Sequence, residues 1–325
     1  MTRRLAPDQQ GLDEAAEILR SGGLVAMPTE TVYGLAANAL DPVAVARIFE
    51  AKRRPSFDPL IVHLPSADRA FALATSVPEA ARLLAATFWP GPLTLVLPRA
   101  ATIPDIVAAE LPTVGLRVPA HPVARQLLER VGIPLAAPSA NLFGFVSPTS
   151  AAHVLNGLDG RIDALIDGGP CAHGLESTVV AFDDDRPIIL RHGAITREQI
   201  AALCGDVGEG ARVLERPLAP GQLARHYATR TPLRLFDRAG QLPEPAATAV
   251  LIVVTGPVPD AQCAGNLSAR ALSPTGSLTE AAANLFSALR EADDAGASEL
   301  RILTCDDTGL GRAINDRLRR AAVRD

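Results

Sequence analysis

The chain has 325 residues, 48% hydrophobic and 21% charged, with a formal net charge of −5 that falls wholly in residues 1–207. The length predicts about two domains with full apolar cores, and neither half has the bulk positive charge of a dedicated nucleic-acid binder. No run of 18 apolar residues predicts a membrane span, Arg3-Arg4 precede no apolar signal stretch, and four scattered cysteines predict buried free thiols rather than a zinc site or a disulfide framework, so a cytosolic location is expected.

Apolar residues at Leu12, Ala15, Ala16 and Leu19 predict a helix over Asp8–Arg20, stopped by Gly22-Gly23. Leu24–Met27 reads as a short buried strand running into a hydroxyl-rich loop, Pro28-Thr-Glu-Thr-Val-Tyr-Gly34. Asp41-Pro42 is a helix start, with Asp as cap and Pro in the first turn, and that helix ends near Lys52. Leu60–Leu64 is the next strand; helical stretches follow from Ser66 and Pro78, then strands at Leu93–Leu97 and Val114–Val118. Pro122–Arg130 is helical, Ile133–Ala137 is a strand leading into Pro138-Ser-Ala-Asn141, and Ser147-Pro148 reads as a capped helix start. Strands recur at Ala164–Ile166, Ser177–Phe182 and Pro187–Arg191, and Thr196 caps one more helix. This alternation predicts an α/β domain over residues 1–207. Turn-rich residues 208–232 read as a linker, and residues 233–325 as a small Rossmann-like α/β domain. That domain has strands at Leu233–Phe236, Ala249–Val254 and Arg301–Thr304, and helices at Thr279–Asp293 and from Gly309. Its Gly309-Leu-Gly311 is too short for a dinucleotide fingerprint.

Scarce residues mark the candidate sites. Thirty of the 31 basic residues are Arg, and the single Lys, Lys52, suggests a position that needs a compact charge rather than a planar fork. With Arg53 and Arg54 it could clamp phosphates or merely complement a helix C-terminus. The only tyrosines are Tyr33 and Tyr227; the only tryptophan, Trp89, reads as a packing anchor beside a turn. Ser139 and Asn141 could offer oxygens to a phosphate or a metal's water shell, or form an ordinary turn. Arg117, in an otherwise apolar strand, could hold a carboxylate or face solvent. His63 reads as a satisfied core histidine, and Arg191-His192-Gly193 could bind anions or face solvent. A Gly-x-x-x-x-Gly-Lys-Ser/Thr loop and a Gly-x-Ser-x-Gly elbow are both absent.

Taken together, Pro28–Gly34, Lys52-Arg-Arg-Pro55 with Pro59-Leu-Ile-Val-His63, Trp89-Pro-Gly-Pro-Leu-Thr94, Gly115-Leu-Arg-Val-Pro119, Ala137-Pro-Ser-Ala-Asn141, Glu176-Ser-Thr-Val179 and Leu190-Arg-His-Gly193 resemble the YrdC-like threonylcarbamoyl-AMP synthases. Ala219-Pro-Gly221, His226-Tyr-Ala228 and the C-terminal domain are similar to the longer, two-domain branch. The resemblance implies a twisted open mixed sheet with a concave basic face, Mg²⁺ accompanying ATP, and no dedicated protein cage for the metal. It implies that L-threonine and bicarbonate give N-carboxythreonine, which attacks the α-phosphate of ATP, for later threonylcarbamoyladenosine modification of tRNA by a separate complex. By motif, Lys52, Arg54, Ser139 and Asn141 would hold phosphates and Mg²⁺ and form the catalytic set. Thr31, His63, Arg117, Ala137 and Ser177 would hold threonine. Asp58, Thr113, Ser147 and Arg191 would line the ATP site, and Tyr227 would fold over the nucleotide as a lid. Two departures stand out: Asp58 where Asn is common, and Arg53 where Gly is common. Carbamoyl transfer and a double-stranded-RNA module, with direct RNA contact, are the competing readings.

Overall fold

A computed structural model describes residues 1–210, 218–224 and 226–323. Two compact units are present. The first comprises Met1–Phe143, Ser147–Ala172 and Glu176–Leu223; the second comprises Gly144–Val146, His173–Leu175 and Ala224–Asp325. Of the expected linker, residues 208–209 form an edge strand of the first sheet, while 211–217 and Arg225 lie outside the described residues.

The first unit is built on one mixed sheet of eleven strands. In chain order these are β1 (Arg3–Leu5), β2 (Val25–Met27), β3 (Gly34–Asn38), β4 (Ile61–His63), β5 (Leu93–Pro98) and β6 (Thr113–Arg117). They continue with β7 (Leu135–Ala136), β8 (Ala164–Ile166), β9 (Thr178–Asp183), β10 (Arg186–Arg191) and β11 (Gly208–Glu209). Their spatial order is β1-β8-β2-β3-β7-β4-β6-β5-β9-β10-β11. The helices are α1 (Gln9–Arg20), α2 (Pro42–Lys52), α3 (Ala67–Phe71), α4 (Glu79–Phe88), α5 (Asp105–Ala108), α6 (Pro122–Val131), α7 (Ala151–Leu158) and α8 (Arg197–Cys204). Asp8, Asp41, Ser66 and Thr196 cap α1, α2, α3 and α8 through their side chains, each satisfying a backbone N–H that the first turn leaves unpaired.

Side-chain alternation decides where the site can form, because neighbours along a strand point to opposite faces. Val62, Leu95, Leu97, Val114 and Leu116 enter the main core with Val45 and Ile48 of α2, Leu84 of α4 and Ile200 of α8. The alternate residues, His63, Thr94, Gly115 and Arg117, therefore share the other face. Over β1, β8, β2, β3 and β7 that same face is buried under α1 and α6 by Leu12, Leu19, Leu127 and Leu128. Over β5, β9 and β10 Val96, Val179 and Leu190 of that face pack on Ala219.

The second unit carries a four-stranded, wholly parallel sheet ordered β12-β15-β13-β14. Its strands are β12 (Leu233–Phe236), β13 (Ala249–Thr255), β14 (Ser268–Ser273) and β15 (Glu299–Leu303). α9 (Leu278–Asp294) packs on β13 and β14, and α10 (Leu310–Ala322) on β12. Among the described residues no helix is long and apolar enough to cross a membrane.

Several expectations need correction. The helix read from Ser147-Pro148 begins instead at Ala151, capped by Ser150. Pro148 and Thr149 give their carbonyls to the N–H groups of Tyr33 and Cys171, which holds 147–149 out of a helix. The four cysteines are free, but only Cys171 is buried and Cys263 is exposed. β1, β3, α5 and β14 were not anticipated; β3, Gly-Leu-Ala-Ala-Asn, is buried on both faces and shows no period-two signal.

Candidate functional site

The polar residues gather around the first sheet in two groups. The first surrounds the C-terminus of α2. Lys52 is only 1% exposed, and its ammonium donates to the carbonyls of Ser139 and Asn141. Burial, then the nearby Arg54 charge, hold its pKa well below the usual lysine value, with Asp58 acting the other way. Arg53 ends the helix with φ of +53°, a left-handed conformation that turns the chain so that Arg54 faces inward. Arg54 donates from Nε to the Asp58 carbonyl at 3.2 Å and from Nη2 to the Pro59 carbonyl at 2.8 Å. The same Nη2 lies 2.9 Å from Asp58 Oδ2. Burial holds the Asp58 pKa above the usual carboxylate value, and the charges of Arg54, Lys52 and Arg191 offset only part of that rise, so three cations act on one enclosed carboxylate.

Arg191 reaches this group through a register shift in β10. Ile189 pairs with Val180 and Arg191 with Val179, leaving an extra residue between them. Such a bulge re-aims the side chain that follows. The Arg191 guanidinium donates to the Ser177 carbonyl at 2.9 Å, the Ser177 hydroxyl at 3.1 Å and the Pro220 carbonyl at 3.1 Å. Ser177 Oγ also lies 2.8 Å from Thr94 Oγ1. A cleft beneath Ala219-Pro220 is floored by Ile61, Thr94, Thr113 and Gly115. At Gly115 an added Cβ would come within 3.3 Å of Thr94 Cγ2 and 3.4 Å of Ile61 Cγ1, so the lack of a side chain keeps this floor open.

The second group sits at the C-terminal ends of β4 and β6, where His63 and Arg117 are register partners. Arg117 Nη2 meets Glu30 Oε1 at 2.6 Å, and its Nε donates to the Gly91 carbonyl at 3.3 Å. Burial alone would raise the Glu30 pKa, but Arg117 and backbone hydrogen bonds outweigh it and hold the carboxyl ionised below its usual range. His63 is pushed down to about 3 by burial and by Arg117, so its ring is neutral at physiological pH. Its buried Nδ1 has no partner among the described residues. Thr31 Oγ1 is linked to Thr29 Oγ1 at 2.8 Å, and Ala137 N donates to the Ile61 carbonyl at 2.9 Å. Ser147 is fully buried and donates to Glu176 Oε1 at 2.5 Å.

Chemically, the first group is a cation-rich enclosure suited to a polyanion, because buried positive charge is costly until a counter-charge arrives. The second offers a planar guanidinium with donors to spare and a neutral imidazole, suited to a small carboxylate with polar substituents.

Residues 17–193 match the Sua5_yciO_yrdC family model, described as telomere recombination, and residues 195–323 match the model described as the C-terminal domain of threonylcarbamoyl-AMP synthase. A threonylcarbamoyl-AMP synthase of Bacillus subtilis is 41% identical over 336 residues, covering 99% of this chain and 96% of its own. This chain belongs to the threonylcarbamoyl-AMP synthase family. A solved Sua5 structure from Pyrococcus abyssi, complexed with L-threonine, superposes with a TM-score of 0.87 at 36% identity, covering 99% of this chain and 97% of its own. A doubly substituted variant of that Sua5 gives 0.91 at 38% identity, covering 99% and 96%.

Within this family member the first unit holds every anticipated site residue except Tyr227. Lys52, Arg54, Asp58, Ser139, Asn141 and Arg191 fall in the cationic group, with Ser177 bonded to Arg191 and Thr113 on the cleft floor. His63 and Arg117 come together at the strand ends. Tyr227 belongs to the second unit, stacked on Phe286 with ring centroids 5.5 Å apart and with the Arg317 guanidinium over its ring. Glu30, Thr94 and Glu176 were not singled out from the sequence, although each lies inside a motif already quoted. The cue was a carboxylate or hydroxyl embedded beside the residues that were chosen.

Proposed function

We propose that this chain joins L-threonine, bicarbonate and the AMP part of ATP into threonylcarbamoyl-AMP. The threonine amine bonds to the bicarbonate carbon as a C–O bond breaks and water leaves, giving N-carboxythreonine; a carbamate oxygen then forms a bond to the α-phosphorus as the bond to the β-phosphate oxygen breaks, and pyrophosphate leaves. The observation that carries this reading is the buried excess of cations, Lys52, Arg54 and Arg191 around the single carboxylate of Asp58. A third arginine, Arg117, lies on the sheet face that also carries Thr94, the partner of Ser177.

In this reading Lys52 and Arg54 neutralise charge on the departing pyrophosphate, and Arg191 with Ser177 holds the remainder of the phosphate chain. Ser139, Asn141 and Ser147 add polar contacts, and the adenosine lies along the cleft floor at Thr113 and Gly115. Arg117 takes the threonine carboxylate, while His63, Thr31, Ala137 and Ser177 surround the rest of that substrate. The protein supplies position and preorganised charge, and no side chain need become covalently attached. Mg²⁺ would arrive on the phosphates with its own waters, since this ion usually keeps several waters and binds through substrate phosphates. Bound Mg²⁺ would offset phosphate charge as the pyrophosphate departs.

In this reading Tyr227 acts as a lid over the nucleotide, so ATP should protect the chain beside it from protease. The product would pass to a separate tRNA-modifying complex in the cytosol. The decisive experiment follows pyrophosphate release with ATP and Mg²⁺ while L-threonine and bicarbonate are added singly and together. Release requiring both supports the synthase. No release from folded protein under any combination overturns it and redirects attention to carbamoyl phosphate and to RNA.

A further inference from the structure

A buried carboxylate whose role is to tie a loop together normally has its oxygens saturated by donors. Asp58 is 0% exposed, yet among the described residues neither carboxylate oxygen accepts a hydrogen bond. Oδ2 lies 2.9 Å from Arg54 Nη2 as an ion contact, and Oδ1 has no donor. Arg54 directs its own bonds to the carbonyls of Asp58 and Pro59. The loop geometry of residues 54–59 is thus fixed by backbone acceptors, and what the Asp58 side chain contributes is charge. That charge sits where Lys52, Arg54 and Arg191 all act on it. Glu30 differs: it accepts from both Arg117 and the backbone N–H of His121.

We propose that Asp58 is a built-in counter-anion: in the nucleotide-free enzyme it stands in for phosphate charge among Lys52, Arg54 and Arg191, and it opposes the incoming pyrophosphoryl group. This rests on the reading of that cluster as the polyphosphate site. Asp58 thereby makes the empty site affordable in electrostatic terms and weakens its grip on the leaving pyrophosphate. It is a positioning and affinity-setting residue rather than a catalytic one.

The test compares wild type with Asp58→Asn, which keeps the shape and removes the charge. Inorganic pyrophosphate and L-threonine are titrated separately by calorimetry, and melting is followed with and without saturating pyrophosphate. The expected result is pyrophosphate binding about ten-fold tighter in the variant, the size of effect that one charge removed from a partly screened site produces. Threonine affinity should be unchanged. The variant should melt below wild type when empty and recover when pyrophosphate is present. Unchanged or weaker pyrophosphate binding overturns the proposal, as does a variant that stays unstable at saturating pyrophosphate, which would mark a purely structural carboxylate. If wild type binds no pyrophosphate at all, the phosphate site fails and the counter-anion with it. Binding by wild type without tightening in the variant refutes Asp58's role alone.

Discussion

Replacing Glu30 by Gln tests how the threonine end of the site is held. The Arg117–Glu30 pair is 2.6 Å apart, with side chains only 5% and 8% exposed, so water does little to screen it. Removing one partner of a buried pair leaves an uncompensated charge and costs about 3–5 kcal/mol. Gln keeps one hydrogen bond to Arg117, which places the expected loss near the lower end, about 3 kcal/mol. For a unit of roughly 200 residues that corresponds to a melting temperature lower by about 6–12 °C. The pH dependence gives a second handle. The folded pKa of Glu30 lies below its unfolded value, so its stabilisation is complete above the unfolded carboxyl pKa of about 4.3. It is lost as pH falls through the folded value. Melting curves of both proteins at pH 7 and at steps below pH 4.5 check this: the wild-type advantage should be full at pH 7 and shrink with acid. Equal melting at pH 7, or an advantage that grows as pH falls, would refute the reasoning.

Lys52→Ala should lower kcat/KM for ATP by about 10–150-fold, the loss of a charge-assisted bond worth about 1.5–3 kcal/mol, and leave threonine affinity within about three-fold. Equal losses for both substrates would count against a phosphate role. Arg53→Gly should raise stability by about 0.5–1 kcal/mol, because a left-handed residue costs about 1–2 kcal/mol and glycine's entropy returns part of that. A lower urea midpoint in that variant would contradict this account. His63 is buried neutral, with its pKa at about 3 against about 6.5 unfolded, so acidification through that window favours the unfolded state. His63→Asn should therefore flatten the stability loss between about pH 6.5 and 3; a variant with the wild-type slope would place the titration elsewhere.

Much of the first unit was legible in one dimension. The caps read at Asp41 and Thr196 are local chemistry, satisfied within three residues of the cap, and each helix starts where its cap predicts. The scarcity of lysine pointed to Lys52, which is buried against two carbonyls of the Pro138–Asn141 turn. Alternation in Thr113-Val-Gly-Leu-Arg117 already separates Arg117 from the apolar Val114 and Leu116. Where the signal is not local, the sequence misled: Ser147-Pro148 reads as a cap, but its carbonyl neighbours are taken by Tyr33 and Cys171 from distant segments.

The sequence by itself therefore determined most of the helices and longer strands and the caps at Asp41 and Thr196, because these depend on local spacing and side-chain type. Tertiary structure alone decided which strands α1 and α6 bury, since that depends on how the chain packs. It also decided the bulge that turns Arg191 inward, and the pairing of Arg117 with Glu30 and of Arg54 with Asp58. A buried charge takes its pKa from whatever encloses it, and only the folded chain brings those neighbours together.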